Sequence, residues 1–278
     1  MERKTIQVIC ALLYNCNLTG FAKGKIYQGE VKGVCVPGLN CYSCPGAVAA
    51  CPLGSLQSAL VSSKYKFPYY ILGLLLLFGV VLGRVVCGFL CPFGLLQELL
   101  YLIPSPKMKK NKWTRKLSYL KYVILLMFVI VIPLAFAVPG FCKYICPAGT
   151  LEGGVFLVAK NEMLQKMTGH LFSWKMFILL LVVISAVFIF RSFCRFICPL
   201  GAFYGLFHKV SVIRMRVDEE KCNGCNACIS HCKLDVRQVG DRECIQCGEC
   251  TESCGKCALS FGVKGDQNEY EDSAELPK

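Results

Sequence analysis

Cys87-Gly-Phe-Leu-Cys91-Pro92-Phe-Gly94 is written three times along this chain, with Cys142-Lys-Tyr-Ile-Cys146-Pro147-Ala-Gly149 and Cys194-Arg-Phe-Ile-Cys198-Pro199-Leu-Gly201 as its other copies. Each copy closes or follows a long apolar run, so thiols are being placed at membrane depth. A degenerate fourth copy lies earlier at Cys51-Pro52-Leu-Gly54-Ser-Leu-Gln57, where Ala47 replaces the first cysteine and Cys41 and Cys44 lie just upstream. Cysteines four apart share one face of a helix, and the proline after them cannot continue its bonding, so each pair is expected where a span ends. The glycine two residues beyond the proline lets backbone approach whatever the thiols hold.

Working outward, residues 69–86 form an 18-residue apolar stretch that would rise about 27 Å as a helix, close to the ~30 Å hydrocarbon thickness. Leu117 to Val138, interrupted by Pro133, and Trp174 to Phe190 are two further spans. Ile6 to Phe21 is shorter and holds Asn15, Asn17 and Thr19, so it reads as a tilted span or a re-entrant segment. Its Arg3-Lys4 start resembles a signal-peptide n-region, but no small-residue cleavage site follows, and retention is expected. The whole chain agrees with this class: 55% of its 278 residues are hydrophobic and mean hydropathy is +0.50, too apolar for an ordinary soluble domain.

Loop charge sets the expected orientation. Residues 104–121 carry seven lysines and arginines and no acid, which assigns them to the cytoplasm. By alternation the segment after the last span lies on the same side and residues 139–173 lie outside. Cys87 and Cys91 then meet Cys194 and Cys198 on the inner side, while Cys142 and Cys146 face Cys41, Cys44 and Cys51 on the outer side, four of those five completing a second set. The chain reads as two helix hairpins in parallel repeat, each giving half of each site. Unless the cysteine loops dip inward, the two sites would stand about 20 Å or more apart.

The most specific signal follows the spans. Cys222-Asn-Gly-Cys225-Asn-Ala-Cys228-Ile-Ser-His-Cys232 and Cys244-Ile-Gln-Cys247-Gly-Glu-Cys250-Thr-Glu-Ser-Cys254 have the spacing of a two-cluster bacterial ferredoxin, in which the fourth cysteine of each run crosses over. One 4Fe-4S cluster is expected on Cys222, Cys225, Cys228 and Cys254, the other on Cys244, Cys247, Cys250 and Cys232. Lys233 and Gly255 stand where such runs commonly place proline. Two more clusters are expected on the membrane thiols. The competing readings are packing cysteines in the spans, disulfides among the outer five, and a zinc ribbon in the C-terminal segment.

The formal charge of +13, from 31 basic and 18 acidic residues, does not point to nucleic acid. A cubane on four thiolates carries about −2, so four would offset roughly eight charges, and loops beside spans account for the rest. Arg84 and Arg191 each precede a cysteine pair by three residues, and read as topogenic anchors. Cys10 and Cys16 read as buried packing cysteines, Cys35 has no motif, and Cys257 reads as an idle thiol. No span holds a histidine, and Cys-x-x-Cys-His, Gly-x-Gly-x-x-Gly and Walker motifs are absent, so haem, hydride and nucleotide chemistry have no signature here.

With these motifs the chain resembles the NapH-like polyferredoxins and the membrane half of the NosR regulators over about residues 35 to 262. It is similar to stand-alone 4Fe-4S membrane proteins that also carry Asn40-Cys41-Tyr-Ser-Cys44-Pro45. Unlike NosR it carries no flavin-attachment domain. The resemblance implies electron transfer between the membrane or its quinone pool and a redox partner. The expected architecture is an all-α polytopic membrane domain of about four transmembrane helices with Cys-x3-Cys-Pro ends plus a small α+β double-cluster ferredoxin domain. Residues 1–66 make the N-terminal helix and outer cysteine segment, 67–216 the repeat domain, 217–263 the ferredoxin domain and 264–278 an acidic disordered tail. The expected function is membrane-bound electron transfer between a soluble cytoplasmic carrier, ferredoxin-like or a flavoprotein, and the quinone pool or an extracytoplasmic acceptor. Such a chain would serve as an oxidoreductase subunit rather than a complete enzyme, alone, as a homodimer or beside other membrane subunits, with both termini in the cytoplasm of a prokaryote. The alternatives are a redox sensor or maturation factor, and a metal-handling protein with copper or zinc on the outer cysteines.

Overall fold

Two helices are long and apolar enough to cross a bilayer, Trp113–Phe136 and His170–Phe188. Their outward faces carry Leu120, Val123, Leu126 on one and Phe177, Leu180, Ile184 on the other, all exposed, as side chains meeting lipid would be. Pro133 lacks an N–H and its ring crowds the carbonyl four residues back. The helix absorbs this by widening into π-turns over Leu125–Val131. The structure, a computed structural model, describes residues 3–62, 68–108 and 110–262; the tail expected over residues 264–278 lies outside them.

Two expected spans are shorter than their apolar runs. The helix over the run at residues 69–86 is Tyr69–Val81, which rises about 20 Å, well short of the hydrocarbon thickness. It stops because Gly83 takes a left-handed φ of +50°, and the N–H groups of Leu82 and Gly83 both close on the Phe78 carbonyl. Near the N-terminus, Ile6 to Phe21 is split into Arg3–Tyr14 and Leu18–Lys23. The break is polar: Asn15 donates to the Ala11 carbonyl and to Asn40, and Asn17 donates to the Pro45 carbonyl.

The helix in each of the three long apolar runs is followed by one left-handed residue, Gly83, Ala137 or Arg191, with φ of 50° in all three, and the chain then enters a cysteine loop. The following Cys-Pro-x-Gly is the start of a new helix as much as the end of an old one. Cys91 is the N-cap of Pro92–Tyr101 and Cys198 that of Pro199–Leu206. Proline occupies the first turn, where its missing N–H costs nothing. The glycine is the third helical residue, and its N–H donates to the cap sulfur in Gly149 to Cys146 and Gly201 to Cys198, both at 3.4 Å, where serine or aspartate commonly serves.

The C-terminal segment is a two-stranded antiparallel sheet, Arg214–Val217 on Leu259–Gly262 with Arg214 opposite Gly262, enclosing cysteine loops and the Ala227–His231 helix. Acidic groups of this segment meet cations of the helical part. Glu243 is paired with Lys121 at 2.5 Å and Arg84 at 3.5 Å, Asp241 with Arg115 at 3.0 Å, and Asp235 with Arg195. Arg3 bridges Glu98 at 2.8 Å and Glu249 at 2.7 Å, which puts the N-terminal helix on the same face. Arg84 and Arg191 are thus not surface anchors. Their side chains are 2% and 0% exposed, and Arg191 is held by Glu98 at 2.7 Å and by the Cys87 carbonyl.

Candidate metal centres

Four buried thiols, Cys87, Cys91, Cys194 and Cys198, lie within electrostatic reach of one another. They come from the two loops that follow Gly83 and Arg191, and the N-terminal ends of Pro92–Tyr101 and Pro199–Leu206 point toward them, a favourable field for an anionic group. A second set, Cys41, Cys51, Cys142 and Cys146, is gathered in the same way. These four line a cavity of about 240 Å³. Cys44 is buried nearby but does not line it; it faces Glu152, Lys32 and the amides of Gly46 and Ala47. The position vacated by Ala47 is filled from farther up the chain by Cys41.

The residues present suit an iron–sulfur cube. A side chain at Gly149 would stand 3.5 Å from the Cys41 sulfur and 3.8 Å from that of Cys146, and one at Gly54 3.8 Å from that of Cys142. Glycine therefore leaves clear the space among the sulfurs that a cube would fill. Four thiols in each set are the donor type that such clusters take.

Position six after the second cysteine of each motif is polar and was missed in the sequence, although Cys-Pro-x-Gly-x-x-Gln recurs at 51–57 and 91–97. Gln57 donates to the Cys142 sulfur at 3.3 Å and accepts from the Phe141 N–H at 3.0 Å. Gln97 repeats both contacts, to Cys194 at 3.0 Å and from Phe193 at 3.0 Å. The equivalents Glu152 and Tyr204 turn instead to the segment at 37–41. The Glu152 carboxylate accepts from the Cys41 N–H at 2.7 Å, and the Tyr204 hydroxyl donates to the Pro37 carbonyl at 2.9 Å.

That segment joins the two sets. The Leu39 N–H faces the Cys91 sulfur and the next amide, Asn40, faces that of Cys51. Neighbouring amides with two hydrogen-bond lengths span about 10 Å, so the sets are far closer than the 20 Å anticipated for loops that stay at the surfaces. Gly38 makes the approach possible, since a side chain there would meet Cys91 Cα at 3.1 Å and the Leu90 carbonyl at 2.9 Å. Tyr204 lies within electrostatic reach of Cys87, Cys91 and Cys198 on one side and Cys51 on the other. All of these belong to one contiguous buried core.

On the opposite side of the first set lies the C-terminal segment. Cys232, Cys244, Cys247 and Cys250 are within electrostatic reach of each other, and Ile245 seats its carbonyl over Gly88, where a side chain would stand 2.5 Å from it. Cys222 and Cys225 are exposed, and Cys228 and Cys254 partly so. Beside this contact, burial pushes the Glu243 carboxyl up, but Arg84 and Lys121 outweigh it and hold it below the usual carboxylate range. Of the remaining thiols, Cys16 is exposed rather than packed, Cys10 is half-buried, Cys35 contacts the Ser55 hydroxyl at 3.5 Å and Cys257 is exposed.

A family described as "4Fe-4S binding domain" matches residues 66–111, 121–162 and 171–217, one match for each long apolar run with its cysteine loop. A second family of the same description matches 215–238. The chain is 32% identical over 192 residues to "Uncharacterized protein MJ0750" of Methanocaldococcus jannaschii, covering 66% of this chain and 73% of that one. It is 26% identical over 229 residues to the "Ferredoxin-type protein NapH" of Escherichia coli, covering 77% and 74%. It is 30% identical over 185 residues to the "Methylamine utilization ferredoxin-type protein MauN" of Paracoccus denitrificans, covering 64% and 58%. No solved structure matches the chain.

Proposed function

Because the chain belongs to the NapH-like family of ferredoxin-type 4Fe-4S proteins, whose members are iron–sulfur electron-transfer proteins, we propose that it carries electrons through four cysteine quartets in series. A soluble cytoplasmic carrier delivers to the exposed quartet Cys222, Cys225, Cys228 and Cys254. From there electrons pass to Cys232, Cys244, Cys247 and Cys250, then to the inner membrane quartet Cys87, Cys91, Cys194 and Cys198. The outer quartet Cys41, Cys51, Cys142 and Cys146 hands them to quinone or an extracytoplasmic acceptor. The seven basic residues of the loop at 104–121 support a cytoplasmic position for the ferredoxin segment.

The carrying observation is continuity. Ile245 sits on Gly88, and the consecutive amides of Leu39 and Asn40 face one inner and one outer sulfur, so neither the step onto the inner membrane quartet nor the step from it to the outer one needs a borrowed cofactor. When bound, the clusters supply one-electron chemistry at potentials set by charge, burial and hydrogen bonds to sulfur. This chain's own residues hold the thiols apart, exclude water from the inner quartet, and direct helix N-termini and amides at the sulfurs.

Iron and acid-labile sulfide measured on anaerobically purified protein, with EPR before and after dithionite, tests the reading. About 16 iron atoms per chain are expected for four cubes. Cys87→Ser and Cys142→Ser should each remove one signal and stop reduction of a quinone analogue in proteoliposomes. Iron for only two cubes, with the membrane thiols alkylatable, would reduce the protein to an anchored ferredoxin. Single-turnover reduction without onward flow would make it a sensor.

A further inference from the structure

The two glutamines at the membrane quartets share a geometry that burial makes costly to maintain. Gln57 and Gln97 are both fully buried, lie six residues after Cys51 and Cys91, and stand on helices that begin at one cysteine loop and reach across to the other. In each, the amide oxygen accepts from a backbone N–H one residue before a cysteine, Phe141 or Phe193 at 3.0 Å. The amide nitrogen then points at the sulfur of that next cysteine, Cys142 at 3.3 Å or Cys194 at 3.0 Å. The backbone contact fixes which end of the amide faces the sulfur, since only the oxygen can accept from an N–H. A buried amide needs its polar atoms satisfied: each nitrogen also meets a carbonyl of its own helix, Leu53 at 3.5 Å or Phe93 at 3.3 Å, and the contacts to sulfur and to the phenylalanine N–H cross the interface between the two loops.

We infer that Gln57 and Gln97 are positioning residues that set the reduction potentials of the outer and inner clusters, each through one N–H donated to one ligand sulfur. This rests on the reading of those thiols as cluster ligands. A donor facing a thiolate favours whichever oxidation state puts more negative charge on sulfur, the reduced one, and so raises the potential. In a dry core the effect is larger than at a surface, because no water can replace the lost donor. The sequence places the same device at both quartets, so a substitution at one should leave the other as an internal reference.

The test is an EPR-monitored redox titration of the full chain in detergent or nanodiscs, with iron and sulfide quantified on the same samples. Gln97→Met and Gln97→Leu each remove the donor to Cys194 together with the acceptor for the Phe193 N–H. With cluster content intact, either variant should shift the reduced-to-oxidised ratio of the inner cluster about tenfold toward oxidised at fixed potential. For a one-electron couple that is about 59 mV lower. The outer cluster should not move, and Gln57→Met should give the mirror result. Inner and outer midpoints unchanged in fully loaded variants would overturn the inference while leaving the electron-transfer reading intact. If the variants fail to load, wild-type protein with 15N in its glutamine side chains decides the matter. Electron–nuclear double resonance should detect that nitrogen coupled to both reduced membrane clusters, and its absence at both would equally overturn the inference. Absence of iron from the wild-type membrane quartets would instead bring down the reading beneath it.

Discussion

Replacing Glu243 with glutamine should loosen the seat of the ferredoxin segment on the membrane part. The carboxylate is 2% exposed and lies 2.5 Å from Lys121, which is 0% exposed, and 3.5 Å from Arg84, which is 2% exposed. Glutamine keeps the shape and removes the charge, so two cations in a dry pocket lose their carboxylate and keep the Arg242 carbonyl, which Arg84 contacts, and the more distant Cys87, Cys194 and Cys198 sulfurs. Removing one member of a buried pair costs about 3–5 kcal/mol, because the remaining charge has lost its water and gains no partner. That is roughly two to four powers of ten in the docking equilibrium. Amide hydrogen exchange on the full chain in nanodiscs reads it directly. Protection over residues 241–247 should fall by two or more powers of ten, while residues 120–131 in the long helix keep theirs. Lys121→Met combined with Glu243→Gln should recover part of the loss, since one stranded charge is then gone. A change below about 1 kcal/mol in the single variant, the magnitude of an exposed pair, would refute the argument that this contact is sealed from water.

Three further outcomes follow from the geometry. Cys41→Ser should lower iron by about four atoms per chain, whereas Cys44→Ser should leave iron content unchanged; equal losses would place Cys44 in the outer quartet. Gly88→Val should push the Ile245 carbonyl away at a cost of about 1–3 kcal/mol, and stopped-flow reduction should show the inner cluster filling more slowly than the ferredoxin clusters with all iron retained. Tyr204→Phe should leave the Pro37 carbonyl without its donor and destabilise the chain by about 1–3 kcal/mol, read as a lower Tm of the loaded protein; an unchanged Tm would mean that water replaces the hydroxyl.

The pairing of the first and third Cys-x3-Cys loops was legible because three near-identical strings separated by two long apolar runs leave few ways to bring thiols together. Cys87 and Cys91 do sit with Cys194 and Cys198. That Cys41 rather than Cys44 lines the outer cavity was not legible, since the two stand three residues apart and the difference follows from the path of the 37–41 segment, pinned by Tyr204 and Glu152. Helix lengths were overread for the same reason they were easy to find. Hydropathy continues through Gly83 to Val86, but it carries no information about the left-handed turn at Gly83. Arg84 and Arg191 were read as anchors because their acids, Glu243 and Glu98, are remote in sequence.

The outer ring of thiols draws nothing from beyond Cys146, whereas the inner ring waits for Cys198 and is roofed by Ile245. A ribosome emitting this chain from its N-terminus therefore finishes one socket while the other still lacks half its walls. Filling of the two sockets would then be separated in time, with the later one shut on its inward side only when the last quarter of the polypeptide folds over it.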